Sequence, residues 1–288
     1  MEDLLASDIA YFSGLGVGVL HNDKRLAAQY NVDVFEKYYG DAQLALFPTS
    51  TQQVSDILSH CNQRRIGVVT QGGNSGVTGG AIARRGEVVL CLRDMNKVRD
   101  MDTISGVLVA EGGCVLDDLD SYAQEHGFIV PVDLGARKKC MIGGNVSTNA
   151  GGLRYLRYGS LHGSVLGLEV VLPDGQILDS LFTLKKDASG YDIKQLFIGA
   201  EGTLGVVTAV AISLAPKPRA SQLALLGLQD FSRIQRAFVL ARQNLGEIVS
   251  AFEFWEKRCN ELVVEYEHCD SLLAKSHEFY VLVETRGS

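Results

Sequence analysis

No apolar run in this sequence of 288 residues approaches the roughly 20 needed to span a bilayer. Positive charge is not in excess either. The 27 Lys and Arg stand against 34 Asp and Glu, and the net charge of −7 argues against a broad electrostatic grip on nucleic acid. The short basic pairs Arg64-Arg65, Arg84-Arg85 and Lys138-Lys139 are expected on solvated surfaces. CxxC spacing is missing among Cys61, Cys91, Cys114, Cys140, Cys259 and Cys269, so these read as reduced, mostly structural thiols of an intracellular compartment. The acidic start, Met1-Glu2-Asp3, has neither signal-peptide nor Arg-rich transit character. No His/Cys/Asp cluster has metal-ligand spacing, and Asp117, Asp118 and Asp120 are expected to form a solvated helical face.

What is present is an ordinary globular composition, 46% hydrophobic and 21% charged, at a length that suits two compact units. After a mixed opening with an aromatic cluster at Phe35, Tyr38 and Tyr39, a strand is legible at 44–47 and is stopped by Pro48. Ser50 then suits a helix N-cap, with Gln53 at the capping-box position. Val54, Ile57, Leu58 and Cys61 follow at i, i+3, i+4 and i+7, one face of a helix. A strand at 66–70 completes a strand–helix–strand unit. Further strands are expected at 88–92 and 107–110, a helix at 115–126, a hairpin with its turn at 173–175, and an apolar strand within 203–214. His60 and His126 fall near helix C-termini, where a cation meets the dipole favourably.

Pro216 and Pro218 then break the pattern, which places a domain boundary there. Three regions follow: an N-terminal segment 1–43, a domain 44–218, and a β-α-β-α-β series over 219–288. In that series Ile234, Ala237, Phe238 and Ala241 share a helical face, and the third strand, 279–284, reads as an unpaired sheet edge. On that reading the chain looks cut short.

Two glycine-rich segments interrupt the apolar strands. The first, QGGNSGVTGG at 71–80, has five glycines in ten residues and leaves a strand. Glycine permits close backbone approach, and successive amides form a nest for anionic oxygen, a pyrophosphate above all, with Asn74, Ser75 and Thr78 as side-chain donors. Both GxxxxGK[ST] and GxGxxG are absent, which excludes a P-loop and a Rossmann fingerprint at this site. The second segment runs from PVDLG at 131–135 into IGGNVSTNAGG at 142–152 and RYGS at 157–160. Its small residues suit a backbone pressed flat on a planar ligand, with Ser147, Thr148 and Asn149 as neutral donors. GAEGTLG at 199–205, with Gly202 and Gly205, is a weaker third element. His162 near these segments suits a structural hydrogen bond, and Cys140, without a neighbouring base, a structural thiol.

QGGNSGVTGG, PVDLGA, IGGNVSTNAGG, RYGS and GAEGTLGVVT, in this order, resemble the FAD-binding domain of the vanillyl-alcohol-oxidase type. The longer wording from 149 to 208 is similar to its D-2-hydroxy-acid dehydrogenase branch. The resemblance implies an α+β, PCMH-type fold of two subdomains that binds FAD, followed by an incomplete α+β cap. It implies that Gln71, Gly72, Gly73, Asn74, Ser75 and Gly76 wrap the pyrophosphate, with Pro48 and Gly80 at the same site. Pro131, Asp133, Leu134 and Gly135 are implied to line the adenosine and isoalloxazine slots, with Gly143, Gly144, Asn145, Thr148, Asn149, Gly151 and Gly152, then Tyr158 and Gly159. Glu201, Gly205 and Val207 complete the implied set.

Some relatives bind FAD covalently through a histidine in the first loop; Gly73-Asn-Ser75 has none, so dissociable FAD is expected. The resemblance further implies a 2-hydroxy acid as hydride donor to the flavin, an electron-transfer flavoprotein as acceptor, a mitochondrial location, and zinc or a similar divalent metal. The metal and base would come from an HxHxGDGN-like motif that this sequence does not contain. No catalytic residue is therefore assigned, and the chain is expected to be inactive by itself. The alternatives are a D-lactate enzyme of the same family and a non-catalytic FAD-binding module.

Overall fold

Leu44–Phe47 and Val88–Cys91 carry apolar side chains at every position, and such strands are stable only where both faces are covered. The computed structural model describes residues 2–287 and divides them into two units. Unit 1 comprises the chain up to Pro131, Gly135–Ala150 and Leu161–Pro216. Unit 2 comprises Val132–Leu134, Gly151–Ser160 and the chain from Lys217.

Unit 1 begins with α1 (Ala6–Gly14) and β1 (Gly18–His21), followed by β2 (Leu44–Phe47), α2 (Thr51–Arg64), β3 (Val68–Gln71) and β4 (Val88–Cys91). The sheet order is β1-β2-β4-β3, with β4 parallel to both β2 and β3. Leu44, Leu46, Val88 and Leu90 pack with Val54, Ile57, Leu58 and Cys61 of α2. The alternate residues Ala45, Phe47, Val89 and Cys91 pack with Leu20, Leu26 and Tyr30 on the opposite face. The stripe expected on α2 is thus the stripe it buries.

Ser50 caps α2 by accepting from Gln53 N at 3.3 Å. The capping box does not close as expected. Gln53 Oε1 accepts instead from Thr49 N at 2.7 Å, because its Nε2 reaches Leu15 O at 3.1 Å. Nor does His60 merely meet the helix dipole. It stacks on Tyr11 and lies 2.8 Å from Asp8 Oδ1 on α1. Asp8 is buried, and the hydrogen bond from Arg64 holds its carboxyl down at about 2, with burial opposing.

The second sheet of unit 1 is antiparallel, in the order β5 (Val98–Asp102), β6 (Val107–Glu111), β10 (Val206–Ser213), β8 (Val165–Val171), β9 (Ile177–Ser180). Between β6 and β8 run α3 (Leu116–Glu125), β7 (Phe128–Ile129), α4 (Ile142–Ser147), α5 (Tyr155–Tyr158, in unit 2) and α6 (Leu161–Ser164); β11 (Ala215–Pro216) pairs with β7. The β8–β9 turn needs Gly175. Its φ is +89°, and a Cβ there would lie 2.7 Å from Ser55 O. Glu169 of β8 ties this sheet to α2, accepting from Thr51 Oγ1 at 2.6 Å, Thr208 Oγ1 at 2.8 Å and Arg99 Nη2 at 3.2 Å. Burial alone would raise its pKa, and these hydrogen bonds outweigh burial and lower it.

Of the three aspartates on α3 only Asp118 is exposed. Asp117 and Asp120 instead bind Arg137 at 2.6 and 2.7 Å, and the buried Asp120 also accepts from Val130 N at 3.0 Å. All six cysteines are free thiols; four are buried, and Cys259 and Cys269 are exposed.

Unit 2 adds β12 (Ala220–Leu228), α7 (Phe231–Leu245), β13 (Val249–Glu256), α8 (Lys257–Glu267) and β14 (Phe279–Gly287). Asp230 caps α7, and Ile234 packs on Val249, Val281 and Val283. The last strand is not an edge. The order is β12-β14-β13, so β14 fills the space between the two earlier strands and pairs antiparallel with both. The expected unpaired edge is therefore corrected: the outer strands are β12 and β13.

Candidate functional site

In unit 1 the glycine-rich segments are pressed against one another. Gln71 ends β3 fully buried, and its Nε2 donates to Tyr30 O at 3.1 Å and Ala81 O at 2.8 Å. Its amide therefore staples both ends of the first loop. The next turn is close-packed: a Cβ at Gly73 would lie 1.8 Å from Lys139 O, and one at Gly72 3.3 Å from Met141 Cβ. Asn74, at φ +47°, donates from Nδ2 to Val32 O at 2.7 Å and Gln29 O at 3.3 Å. With its amide used there, Asn74 is not the side-chain donor the sequence suggested. The backbone amides of Gly73 to Thr78 have no acceptor among the described residues. A run of unsatisfied N–H groups in a turn is a nest for an anionic oxygen.

The second segment is helical rather than flat. α4 covers Ile142–Ser147, and Ser147 Oγ donates to Gly143 O at 2.8 Å while Thr148 Oγ1 donates to Gly144 O at 3.0 Å. Both hydroxyl hydrogens are thus engaged inside the helix, which leaves the oxygens as acceptors. Gly143, Gly205 and Val207 are packing positions. A Cβ at Gly143 would lie 2.9 Å from Gly112 O, one at Gly205 2.7 Å from Val170 Cγ1, and Val207 is buried in β10. The third element docks on the second through Glu201 N to Ser147 O, 2.8 Å, and Gly199 N to Val146 O, 3.1 Å. Glu201 sits at φ +52°, with its Oε2 3.3 Å from where a Gly80 Cβ would be. Pro48 and Pro131 are buried at the ends of their segments.

Gly76, Gly135 and Gly144 differ from these neighbours: a Cβ at any of them would meet nothing within 4 Å. All three are exposed to solvent, and the same two segments also carry polar groups of the opposite kind. Asn74 Oδ1, Asn145 Oδ1 and Asn149 Oδ1 are buried and have no hydrogen-bond partner. An unpaired buried acceptor costs about 1–3 kcal/mol, so each of the three marks a position where a donor is missing. The Asn74 oxygen is fixed as an acceptor, because two carbonyls hold its Nδ2. Cys140 is buried, which pushes its thiol pKa up, with the Asn145 side chain opposing. His162 bonds Gln195 through Nδ1. Among the described residues no group of three or more His, Cys, Asp or Glu could hold a metal ion.

The other implied residues belong to unit 2. Gly152 lies against Asp133, where a Cβ would be 1.8 Å from Asp133 O, and Leu153 N donates to that carbonyl at 3.1 Å. Arg154 Nη2 holds Asp133 Oδ2 at 2.9 Å. A Gly151 Cβ would lie 3.1 Å from the Tyr155 ring; Tyr158 lies under the Arg157 guanidinium at 5.3 Å, Gly159 turns the chain at φ +71°, and Leu134 is half-buried. Two features carry no sequence signal of their own: the Gln29 and Val32 carbonyls that hold Asn74, and the ion cluster around Arg154.

The FAD binding domain model matches residues 42–180, and the model for the C-terminal domain of FAD linked oxidases matches residues 217–288. An Arabidopsis thaliana relative named D-2-hydroxyglutarate dehydrogenase, mitochondrial, is 48% identical over 291 aligned positions, covering 100% of this chain and 52% of the relative. The chain spans about half the length of the curated relatives it matches. Among solved structures, an alkyldihydroxyacetonephosphate synthase superposes with a TM-score of 0.83 at 17% identity, covering 99% of this chain and 56% of that one. For p-cresol methylhydroxylase the TM-score is 0.79 at 19% identity, with 99% and 62% covered. These likenesses speak for the fold alone, which is the α+β, PCMH-type FAD-binding architecture.

Proposed function

The chain belongs to the FAD-linked oxidases, and from that premise we propose that it binds FAD non-covalently in the glycine nest of unit 1 and serves the oxidation of D-2-hydroxyglutarate to 2-oxoglutarate by hydride transfer to the flavin. The observation that carries the cofactor reading is the pairing of a donor run with buried acceptors. The free amides of Gly73 to Thr78 suit a pyrophosphate, while Asn74, Asn145 and Asn149 oxygens suit the hydroxyl and N–H groups of a dinucleotide. A bare phosphate would satisfy the first set and leave the second unpaired. Gly76, Gly135 and Gly144 are exposed and meet no neighbouring group within 4 Å of a Cβ position, so a ligand can approach the backbone there.

FAD, when bound, supplies the two-electron acceptor; the chain's own residues bind it and fix its orientation. The first loop contains no histidine between Gly72 and Gly80, which supports dissociable flavin. For Asp133, Leu134, Gly151, Gly152, Tyr158 and Gly159 the cofactor role rests on the resemblance alone. The substrate and the mitochondrial location rest on the names of relatives, and an electron-transfer flavoprotein as acceptor on the family.

The test is a titration of the flavin-stripped chain with FAD, followed by acid precipitation. Tight binding with all yellow colour released to the supernatant is expected; no binding, or colour retained in the pellet, contradicts the reading. For the substrate, D-2-hydroxyglutarate added to the FAD-loaded chain is expected to perturb the flavin absorbance more than D-lactate. The reverse order would favour the lactate enzyme.

A further inference from the structure

Arg286, on the central strand of unit 2, has a binding edge that the fold does not use. We infer that it holds a carboxylate of the 2-hydroxy acid, an inference that rests on the substrate reading above. The side chain is only 16% exposed and its Nε is buried without a hydrogen bond. That Nε lies 3.4 Å from Glu284 Oε1, close enough to feel the charge. Neither Nη has an acceptor among the described residues. The guanidinium is therefore oriented from behind, with the two Nη groups left over.

Its surroundings explain why an anion is wanted. Glu284 is buried and shared: Ser250 Oγ donates to it, and Arg154 Nε lies 3.4 Å from it. Arg154 is also committed on its other side, to Asp133 Oδ2 at 2.9 Å. Arg157 donates from Nη1 to the backbone carbonyl of Arg286, which fixes the strand at that residue. Arg286 is thus the third guanidinium gathered here, beside Arg154 and Arg157, with the buried Glu284 between Arg154 and Arg286.

A planar guanidinium with two parallel N–H groups matches a carboxylate in bidentate geometry, and partial burial strengthens such a bond relative to an exposed one. Arg154 is less suited to this role, since its Nε and Nη2 already meet Glu284 and Asp133. The two Nη groups left over match one carboxylate, which makes Arg286 a binding residue for one end of the substrate.

The experiment titrates the full chain with 2-oxoglutarate by calorimetry, using inorganic phosphate as a second probe, in the wild type and in R286M, R286K and R233M. R286M should weaken 2-oxoglutarate binding by roughly tenfold or more, the effect of losing a charge-assisted pair. R286K, which keeps the charge without the fork, should fall between R286M and the wild type. R233M, on an exposed pair elsewhere in unit 2, should change nothing. Melting temperatures of R286K and R286M within a degree or two of the wild type exclude misfolding; a collapse of R286M alone leaves R286K to decide. Binding that R286M and R286K leave unchanged, or phosphate bound as tightly as 2-oxoglutarate, would overturn the inference. A wild-type chain that binds no 2-oxoglutarate counts against both the substrate reading and this inference.

Discussion

The two units leave different kinds of groups unsatisfied. In unit 1 they are neutral dipoles, the amides of Gly73 to Thr78 and the oxygens of Asn74, Asn145 and Asn149. In unit 2 the corresponding group is a cation, Arg286, in a cluster of ion pairs. Neutral dipoles recognise by position, because each is weak and only a ligand that meets many of them at once binds firmly. A guanidinium in partly buried surroundings recognises by charge and by its planar fork, and its pairing is screened by salt less than an exposed pair would be. The first arrangement suits a large cofactor, the second a small acid.

The comparison breaks most visibly at the close-packed glycines. Gly73→Val places side-chain carbon where the Lys139 carbonyl already lies, at 1.8 Å from the Cβ position, so FAD binding should be abolished and the yield of folded protein should fall. Gly144→Ala enters open space instead, and should leave folding intact while lowering FAD affinity. Melting curves and FAD titration separate the two; equal behaviour of both variants would remove the distinction between packing and ligand-facing glycines.

A smaller effect is expected where α1 docks. Asp8 is held at about 2 against an ordinary 3.8, so its tie to Arg64 stabilises fully above about 3.8 and is lost as pH falls towards 2. The acid limb of the melting temperature should therefore be steeper in the wild type than in R64M. Identical acid limbs would show that the tie contributes nothing. The smallest effect is R233M, whose exposed i,i+3 pair with Asp230 should be worth less than about 1 kcal/mol in a denaturant melt.

Much of unit 1 is legible in the sequence because its determinants are local. The α2 stripe, the Ser50 cap, the β8–β9 turn at Gly175 and the glycine loops each lie within a dozen residues. The misreadings arise where a side chain finds a distant partner. Gln53 turns to Leu15, His60 to Asp8, and Asp120 to Arg137 and Val130, none of which periodicity can show. Ser147 and Thr148 look like ligand donors until α4 forms and its own carbonyls take their hydrogens. The place of β14 between β12 and β13 is a matter of topology, which strand-by-strand reading leaves open. The Arg154–Glu284 cluster joins residues 130 positions apart and has no local pattern at all.

The central claim is that the orphaned amide oxygens of unit 1 are there for a flavin dinucleotide. Asn145→Leu tests it most directly, since it removes one buried unpaired acceptor while keeping the side-chain size. Melting temperatures of wild type and variant, each with and without saturating FAD, are the measurement. The account predicts opposite signs: the variant melts at or above the wild type without FAD, and gains less than the wild type when FAD is added. A variant that loses stability without FAD and gains as much from FAD as the wild type would contradict it.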